Sequence, residues 1–394
     1  MKKLTSFITF SIAFTIFSCS SSDSVSTPTE TYPNVIAAFS GKIDLNNLSN
    51  YANQSKPAYI TKDNTAGNPI TDKGATLGRV LFYDKNLSSN NTISCASCHI
   101  QANAFGDDTD ASDGVNGTTT RHAMRLVNSR FSNETKFFWD ERATTLEAQT
   151  SQPIQNHIEM GFSGTSGDGS ITTLITKLQA IGYYKELFKY VYGSEEITET
   201  KLQNALAQFI RSIQSFDSKY DTGRAAVQND NQPFSNFTAQ ENQGKNLFLT
   251  PPVFDTSGVR ISGGFGCAGC HAPPEFDIDP NTKNNGVIGV LNGTGIDITN
   301  TKAPSLRDLL NANGTPNGPM MHTGSFATLQ NVIGHYGTIT IAPRNTNLDP
   351  RLTPSGFGQQ LNINATEVTA LIAFIKTLTG TNVYTDPKWS SPFK

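Results

Sequence analysis

Cys95-Ala96-Ser97-Cys98-His99 and Cys267-Ala268-Gly269-Cys270-His271 are near-copies of one pentapeptide, and they decide how the rest of the chain is read. Their surroundings repeat too. Gly78-Arg79-Val80-Leu81-Phe82 precedes the first copy and Gly244-Lys245-Asn246-Leu247-Phe248 the second, so the duplicated unit is larger than the pentapeptide. A lone Cys-x-x-Cys pair fits a redox disulfide or half of a zinc site. Here a histidine follows each second cysteine directly, and the pairs lie far apart rather than at the close spacing of a four-cysteine zinc cluster. The pattern is that of haem c attachment, in which two thiols add to the porphyrin vinyl groups and the imidazole on the same turn reaches the iron. Cys95, Cys98, Cys267 and Cys270 are the expected attachment thiols of two haem c groups, and His99 and His271 the expected proximal ligands.

The 394 residues carry 30 Lys and Arg against 33 Asp and Glu, with no long basic run, so a nucleic-acid partner has no electrostatic footprint. Hydrophobic residues make up 36% of the chain, enough to bury cores in two domains of ordinary size. Met1-Lys2-Lys3 and the apolar run Leu4 to Phe17 form the charged and apolar regions of a secretory signal, too short for a comfortable membrane span. The run ends in Ile16-Phe17-Ser18-Cys19, which resembles the lipobox of bacterial lipoproteins. A signal over 1–19, lipid anchoring at Cys19, a flexible tether over 20–55 and a periplasmic or outer-membrane location are therefore expected.

Helical periodicity is clear in several places. Leu202, Leu206, Phe209, Ile210 and Ile213 recur at helical spacing behind Thr198 as N-cap. Thr238 with Glu241, and Asn364 with Glu367, read as capping boxes; the second opens a helix through Val368, Leu371, Ile372, Ile375 and Leu378 with Gly380 as its stop. Turn formers concentrate between 217 and 237. The expected fold is mainly α, with two cytochrome c-like haem domains, 56–225 and 226–394, and long loops.

Between the haem motifs lies Phe137-Phe138-Trp139-Asp140-Glu141-Arg142-Ala143, with Gln149 and Glu159 ten and twenty residues after Trp139. Taken singly, these would be a core aromatic, a helix-surface amide and a solvated carboxylate. Together with Ala303-Pro304-Ser305-Leu306-Arg307 and Met321-His322-Thr323-Gly324-Ser325-Phe326, they resemble the bacterial di-haem cytochrome c peroxidase/MauG family over residues 70 to 380. In that family a Phe-Trp-Asp-Gly-Arg segment places a tryptophan between the haems, and a glutamine and a catalytic glutamate follow at these spacings. The resemblance implies hydrogen peroxide as substrate and Glu159, Gln149 and Trp139 as catalytic residues. It also implies electrons from a small donor protein such as a cytochrome c, or from a protein substrate. A non-enzymatic di-haem electron carrier is the alternative from another class.

Two departures bear on mechanism. Many family members cap the N-terminal iron with a histidine on the loop after the first motif, but 105–120 contains none; the nearest is His122. His122 stands where the family has an asparagine that helps to bind calcium between the domains. The resemblance makes the carbonyls around Asn317 and Pro319 the remaining calcium ligands. At the C-terminal haem, the family's methionine ligand falls seven residues after a helix-opening leucine, which from Leu329 is Tyr336, as in MauG. Tyr336 is the preferred sixth iron ligand over His335, Met320 and Met321; a phenolate favours ferric iron. His322 matches a family histidine near the haem, and His157 is either a pocket or a surface residue.

Overall fold

The computed structural model describes residues 31–132, 136–278 and 282–393. The signal segment and Cys19 lie outside them. Among the described residues the first helices are α1 (Pro33–Phe39), α2 (Asp72–Tyr83), α3 (Cys95–Cys98), α4 (Leu146–Thr150), α5 (Ile171–Gln179) and α6 (Gly182–Tyr192). After them come α7 (Glu199–Ser212), α8 (Lys219–Ala225), α9 (Ala239–Leu249), α10 (Leu329–Gly337) and α11 (Ala365–Lys376). Strands are confined to short antiparallel pairs, β1 (Asp113–Gly114) with β2 (Gly117–Thr118), β3 (Pro252–Phe254) with β4 (Arg260–Gly263), and β5 (His271–Ala272) with β6 (Asp277–Ile278). The fold is mainly helical, as expected.

The helix starts follow the polar residues that cap them. Thr198 accepts a hydrogen bond from the Lys201 amide, and Thr238 with Glu241 and Asn364 with Glu367 form reciprocal capping boxes. Each such cap contributes about 1 kcal/mol. Gly380 does not stop α11, which ends at Lys376 with Thr377 as C-cap. Its role is close approach: its amide donates to Asp308 Oδ1 at 2.8 Å, and a Cβ there would lie 2.3 Å from Asp217 Oδ1.

The duplication is expressed as two helix crossings, each made possible by a glycine. A Cβ on Gly78 of α2 would lie 2.0 Å from the Ala205 carbonyl oxygen of α7 and 2.7 Å from Phe209 Cβ. A Cβ on Gly244 of α9 would lie 1.9 Å from the Ala370 carbonyl oxygen of α11 and 2.9 Å from Phe374 Cβ. The aromatic residues repeat with them. Phe82 packs on Phe105 and Phe209 at ring distances of 6.0 and 5.1 Å; Phe248 packs on Phe276 and Phe374 at 5.7 and 5.3 Å.

Tyr32–Lys394 is one compact unit that contains two apolar cores. Residues from Tyr32 to Ile213 form the first and residues from Tyr220 to Leu378 the second. This corrects three expected boundaries. Residues 32–55 are not tether: α1 buries Val35 and Phe39, Ile43, Leu45 and Tyr51 join the first core, and Glu186 accepts from the Asn34 and Val35 amides. The turn-rich stretch 217–237 is not all linker between the domains: Ser218 and Asp221 cap α8, and Tyr220, Phe234 and Phe237 enter the second core. The C-terminal segment returns to the first core with Val383 and Trp389, secured by Tyr51 Oη on the Lys388 carbonyl at 2.5 Å and Tyr83 Oη on the Trp389 carbonyl at 2.6 Å.

Candidate active site

Both motif histidines are prepared in the same way. His99 Nδ1 donates to the Phe105 carbonyl at 3.2 Å, and His271 Nδ1 donates to the Phe276 carbonyl at 3.2 Å. Phe105 and Phe276 take left-handed φ of 59° and 54°, which turns those carbonyls back toward the rings. A carbonyl only accepts, so Nδ1 carries the proton and Nε2 presents its lone pair, the tautomer an iron ligand needs. Burial lowers the pKa of both imidazoles, that of His271 to about 4, so both stay neutral. Cys95, Cys98 and Cys267 are reduced thiols. Burial pushes the Cys95 and Cys267 thiols up to about 12 and Cys98 to about 11, the opposite of a reactive redox pair. Among the described residues no three His, Cys, Asp or Glu side chains cluster as a zinc site would require.

One cavity brings the first motif and the inter-motif segment together. Cys95, Cys98 and His99 line it with Trp139, Gln149 and Glu159, and it extends to Glu275, Pro304 and Ser305 beside the second motif. Glu159 is fixed through its backbone. Its amide donates to Asn156 Oδ1 at 3.1 Å and its carbonyl accepts from Val115 at 3.0 Å, from the turn between β1 and β2. Gly114 permits that approach, since a Cβ there would lie 2.1 Å from the Ile158 carbonyl oxygen. Burial raises the pKa of the Glu159 carboxyl, and the Arg142 guanidinium partly offsets this. Gln149 lies on α4, opened by Thr145 accepting from the Ala148 amide, and also lines the cavity.

Trp139 sits in a loop closed by paired bonds between Phe137 and Ala143. Its Nε1 donates to the His122 carbonyl at 2.7 Å, and its ring lies 6.2 Å from the buried ring of His322. Phe138 and Glu141 flank it with left-handed φ of 71° and 60°. Glu141 stands where the family segment has glycine and is held by Asn300, whose amide donates to its Oε2 at 3.1 Å. Non-glycine residues kept in this region are found where surrounding structure fixes them, often at functional sites.

Around the second motif, Tyr336 is half-buried, and desolvation of its phenol, with the nearby Cys270 and Cys267, raises its pKa. His335 points elsewhere: its Nε2 donates to the Asn285 carbonyl at 2.9 Å. Met320 packs in the second core. His157 is exposed and pairs with Asp168 at 2.9 Å, outside the cavity.

His122 is buried, with Nδ1 donating to the Thr109 carbonyl at 2.9 Å and Cε1 3.6 Å from where a Gly318 Cβ would sit. The Asn317 amide donates to the Asp308 carbonyl at 2.8 Å and Tyr384 Oη at 2.9 Å. The site that the resemblance assigns to calcium thus holds an imidazole and a committed amide. The imidazole takes the place of an oxygen donor, which a hard cation prefers, leaving the carbonyls around Asn317 and Pro319 as the remaining oxygens.

Two cavity residues, Arg125 and Glu275, escaped the sequence reading. Arg125 lies beside the Asn103–Gly106 turn, donates to the Ser305 carbonyl at 3.1 Å and has its pKa pushed down to about 10 by burial. Glu275 Oε1 lacks a partner, and burial raises that carboxyl to about 7. Their only sequence signals were a charge inside Met124-Arg125-Leu126 and another inside Pro274-Glu275-Phe276, both apolar contexts.

The profile of the di-haem cytochrome c peroxidase family matches residues 72–230. The methylamine utilization protein MauG of Methylophilus methylotrophus is 30% identical over 322 residues, covering 79% of this chain and 84% of that protein. The chain belongs to the di-haem cytochrome c peroxidase/MauG family. The cytochrome c551 peroxidase of Nitrosomonas europaea is 28% identical over 320 residues, 78% of this chain and 80% of its own. The crystal structure of a MauG-like protein associated with microbial copper homeostasis superposes with TM-score 0.66 at 29% identity, covering 86% of this chain and 99% of that one. Family membership implies haem c cofactors, and the residues present fit them: each motif offers an imidazole with its Nε2 lone pair available, beside cysteine thiols.

Proposed function

We propose that this chain is a di-haem peroxidase that cleaves hydrogen peroxide at the site of His99. The observation that carries this reading is that Glu159 and Gln149 line the same cavity as Cys95, Cys98 and His99. The haems would be held covalently, one by Cys95 and Cys98 with His99 on its iron, the other by Cys267 and Cys270 with His271 and Tyr336. When bound, they supply the iron that activates peroxide and store the oxidising equivalents.

The chain's own residues supply the proton chemistry. Breaking the O–O bond requires a proton to leave the inner oxygen and arrive at the outer one. The Glu159 carboxylate takes that proton and returns it to the leaving oxygen. The desolvated carboxyl suits the role, because a raised pKa brings base and conjugate acid closer in energy near neutral pH. Gln149 donates a hydrogen bond that orients peroxide, and buried Trp139 offers a polarisable path for charge between the two sites. Apolar wall residues such as Leu206 and Ile210 limit water. We further propose export, lipid anchoring at Cys19, a periplasmic or outer-membrane location, and domains 56–225 and 226–394 with the boundaries corrected above.

A MauG-like oxidation of a partner protein is the second reading, favoured by two observations. Tyr336 stands at the position seven residues after Leu329 where the family's peroxidases carry methionine, and His122 is bonded to Thr109 and beside Gly318. The test is an absorption and EPR titration of the oxidised, haem-loaded protein with hydrogen peroxide, without prior reduction. Rapid loss of a high-spin ferric signal supports an open N-terminal site; reaction only after one electron is added restores the reductively activated peroxidase. Inertness in every redox state leaves an electron carrier.

A further inference from the structure

Two side chains of types that can ligate haem iron, Tyr336 and Met321, share one hydrogen-bond donor. Asn285 Nδ2 lies 3.4 Å from Tyr336 Oη and 3.4 Å from Met321 Sδ. The two acceptor atoms are therefore no farther apart than twice that distance. Asn285 is itself fixed, its Oδ1 accepting from the Val287 amide at 3.0 Å and its carbonyl from His335 Nε2 at 2.9 Å. Met321 is buried and holds a left-handed φ of 72°, a conformation that a side-chain-bearing residue keeps only where its surroundings enforce it. The pair differs in chemical softness. A phenolate oxygen prefers ferric iron, whereas a neutral thioether sulfur prefers the softer ferrous ion.

We infer that the sixth position of the C-terminal iron is exchangeable, occupied by Tyr336 Oη in the ferric state and by Met321 Sδ in the ferrous state. Asn285 is the positioning residue, its amide donating to whichever of the two atoms has been released. This rests on the proposed haem at His271 with Tyr336 as ligand. The step balances with one electron from an external one-electron donor and one proton from solvent. The electron reduces iron, the bond from iron to Tyr336 Oη breaks, Oη takes the proton, and a bond from iron to Met321 Sδ forms. Oxidation reverses each change. The exchange gives one haem two roles: a ferrous form able to hold an electron from a donor, and a ferric form disposed to store an oxidising equivalent.

The experiment uses the full haem-loaded protein. In the ferric state, resonance Raman excitation of the phenolate-to-iron charge-transfer band shows tyrosinate modes that Tyr336→Phe removes. In the fully reduced state, proton NMR shows the strongly upfield-shifted methyl of an iron-bound methionine, lost in Met321→Leu and retained in Met320→Leu. Asn285→Leu leaves haem content unchanged but weakens the ferric tyrosinate bands. A reduced wild-type protein without the upfield methyl, or one whose methyl survives Met321→Leu, overturns the exchange while leaving tyrosine ligation intact. Absence of ferric tyrosinate modes in the wild type overturns the ligand reading itself and the exchange with it.

Discussion

Replacing Gly78 with alanine tests the helix crossing that carries the first haem site. The added Cβ would lie 2.0 Å from the Ala205 carbonyl oxygen and 2.7 Å from Phe209 Cβ, whereas carbon contacts below about 3 Å do not persist, so α2 and α7 must part by roughly 1 Å. A gap of that size forfeits about a quarter to a half of the dispersion energy across it. Leu77, Val80, Leu81 and Phe82 of α2 are fully buried, and a buried leucine makes contacts worth several kcal/mol in total, so the crossing loses roughly 2–4 kcal/mol. Alanine returns about 1 kcal/mol in helix propensity, leaving a net loss of ~1–3 kcal/mol, in the range of overpacked cores. Calorimetry of the haem-loaded protein should show melting roughly 2–10 °C lower. Gly244→Ala should do the same, because its Cβ would meet the Ala370 carbonyl oxygen at 1.9 Å, while Gly67→Ala, with nothing within 4 Å, should cause no loss. Gly78→Ala melting with the wild type would refute the argument that this glycine sets the distance between the helices.

Glu159→Gln should slow the reaction of the oxidised protein with peroxide by about 10²–10⁴-fold in stopped-flow absorption, with haem content unchanged. Because the folded pKa of Glu159 is raised and its base form is the active one, the wild-type rate should climb with pH above the usual carboxylate range, and the glutamine variant should lose that rise. By the same linkage, the raised carboxyl favours the folded state at low pH, and stability falls as pH rises through its folded pKa. Gly114→Ala should lower the peroxide rate without touching a reacting group, since its Cβ would displace the Ile158 carbonyl beside Glu159. Prolonged chelation with EGTA should leave the haem spectra and peroxide reaction unchanged, because His122, bonded to the Thr109 carbonyl, replaces the asparagine with which the family binds calcium.

What the sequence made legible was whatever depends on local chemistry. The caps at Thr198, Thr238 and Asn364 lie where short polar residues precede apolar periodicity, and the spacing from Trp139 to Gln149 and Glu159 corresponds to one cavity wall. The misses depend on long-range packing. Nothing near Pro33 signals that Phe39 will be buried beneath residues of α6, or that Trp389 returns to Tyr83 and Ser390 to Arg79 across more than 300 residues. Gly380 looked like a helix stop because a C-cap glycine and a glycine required by a distant carboxylate are identical in sequence. Arg125 and Glu275 were invisible for a related reason: a buried charge is recognised by what surrounds it, not by its neighbours in the chain.

The two haem sites also show which parts of a duplicated unit diverge. On the proximal side both copies keep the glycine crossing, the three-phenylalanine cluster and a histidine bonded to the carbonyl of a left-handed phenylalanine. These features solve one packing problem, presenting a neutral imidazole Nε2 on a half-buried turn, and any change is penalised in the core. The facing residues are under no such constraint. The first copy takes Glu159 and Gln149 from the inter-motif segment, clamped by the β1–β2 turn, whereas the second draws Tyr336 from α10 and Met321 and Asn285 from loops. A carboxylate that exchanges protons and an oxygen–sulfur pair that exchanges ligands serve different ends. Function in this chain therefore divides along the line where core packing stops dictating the residue.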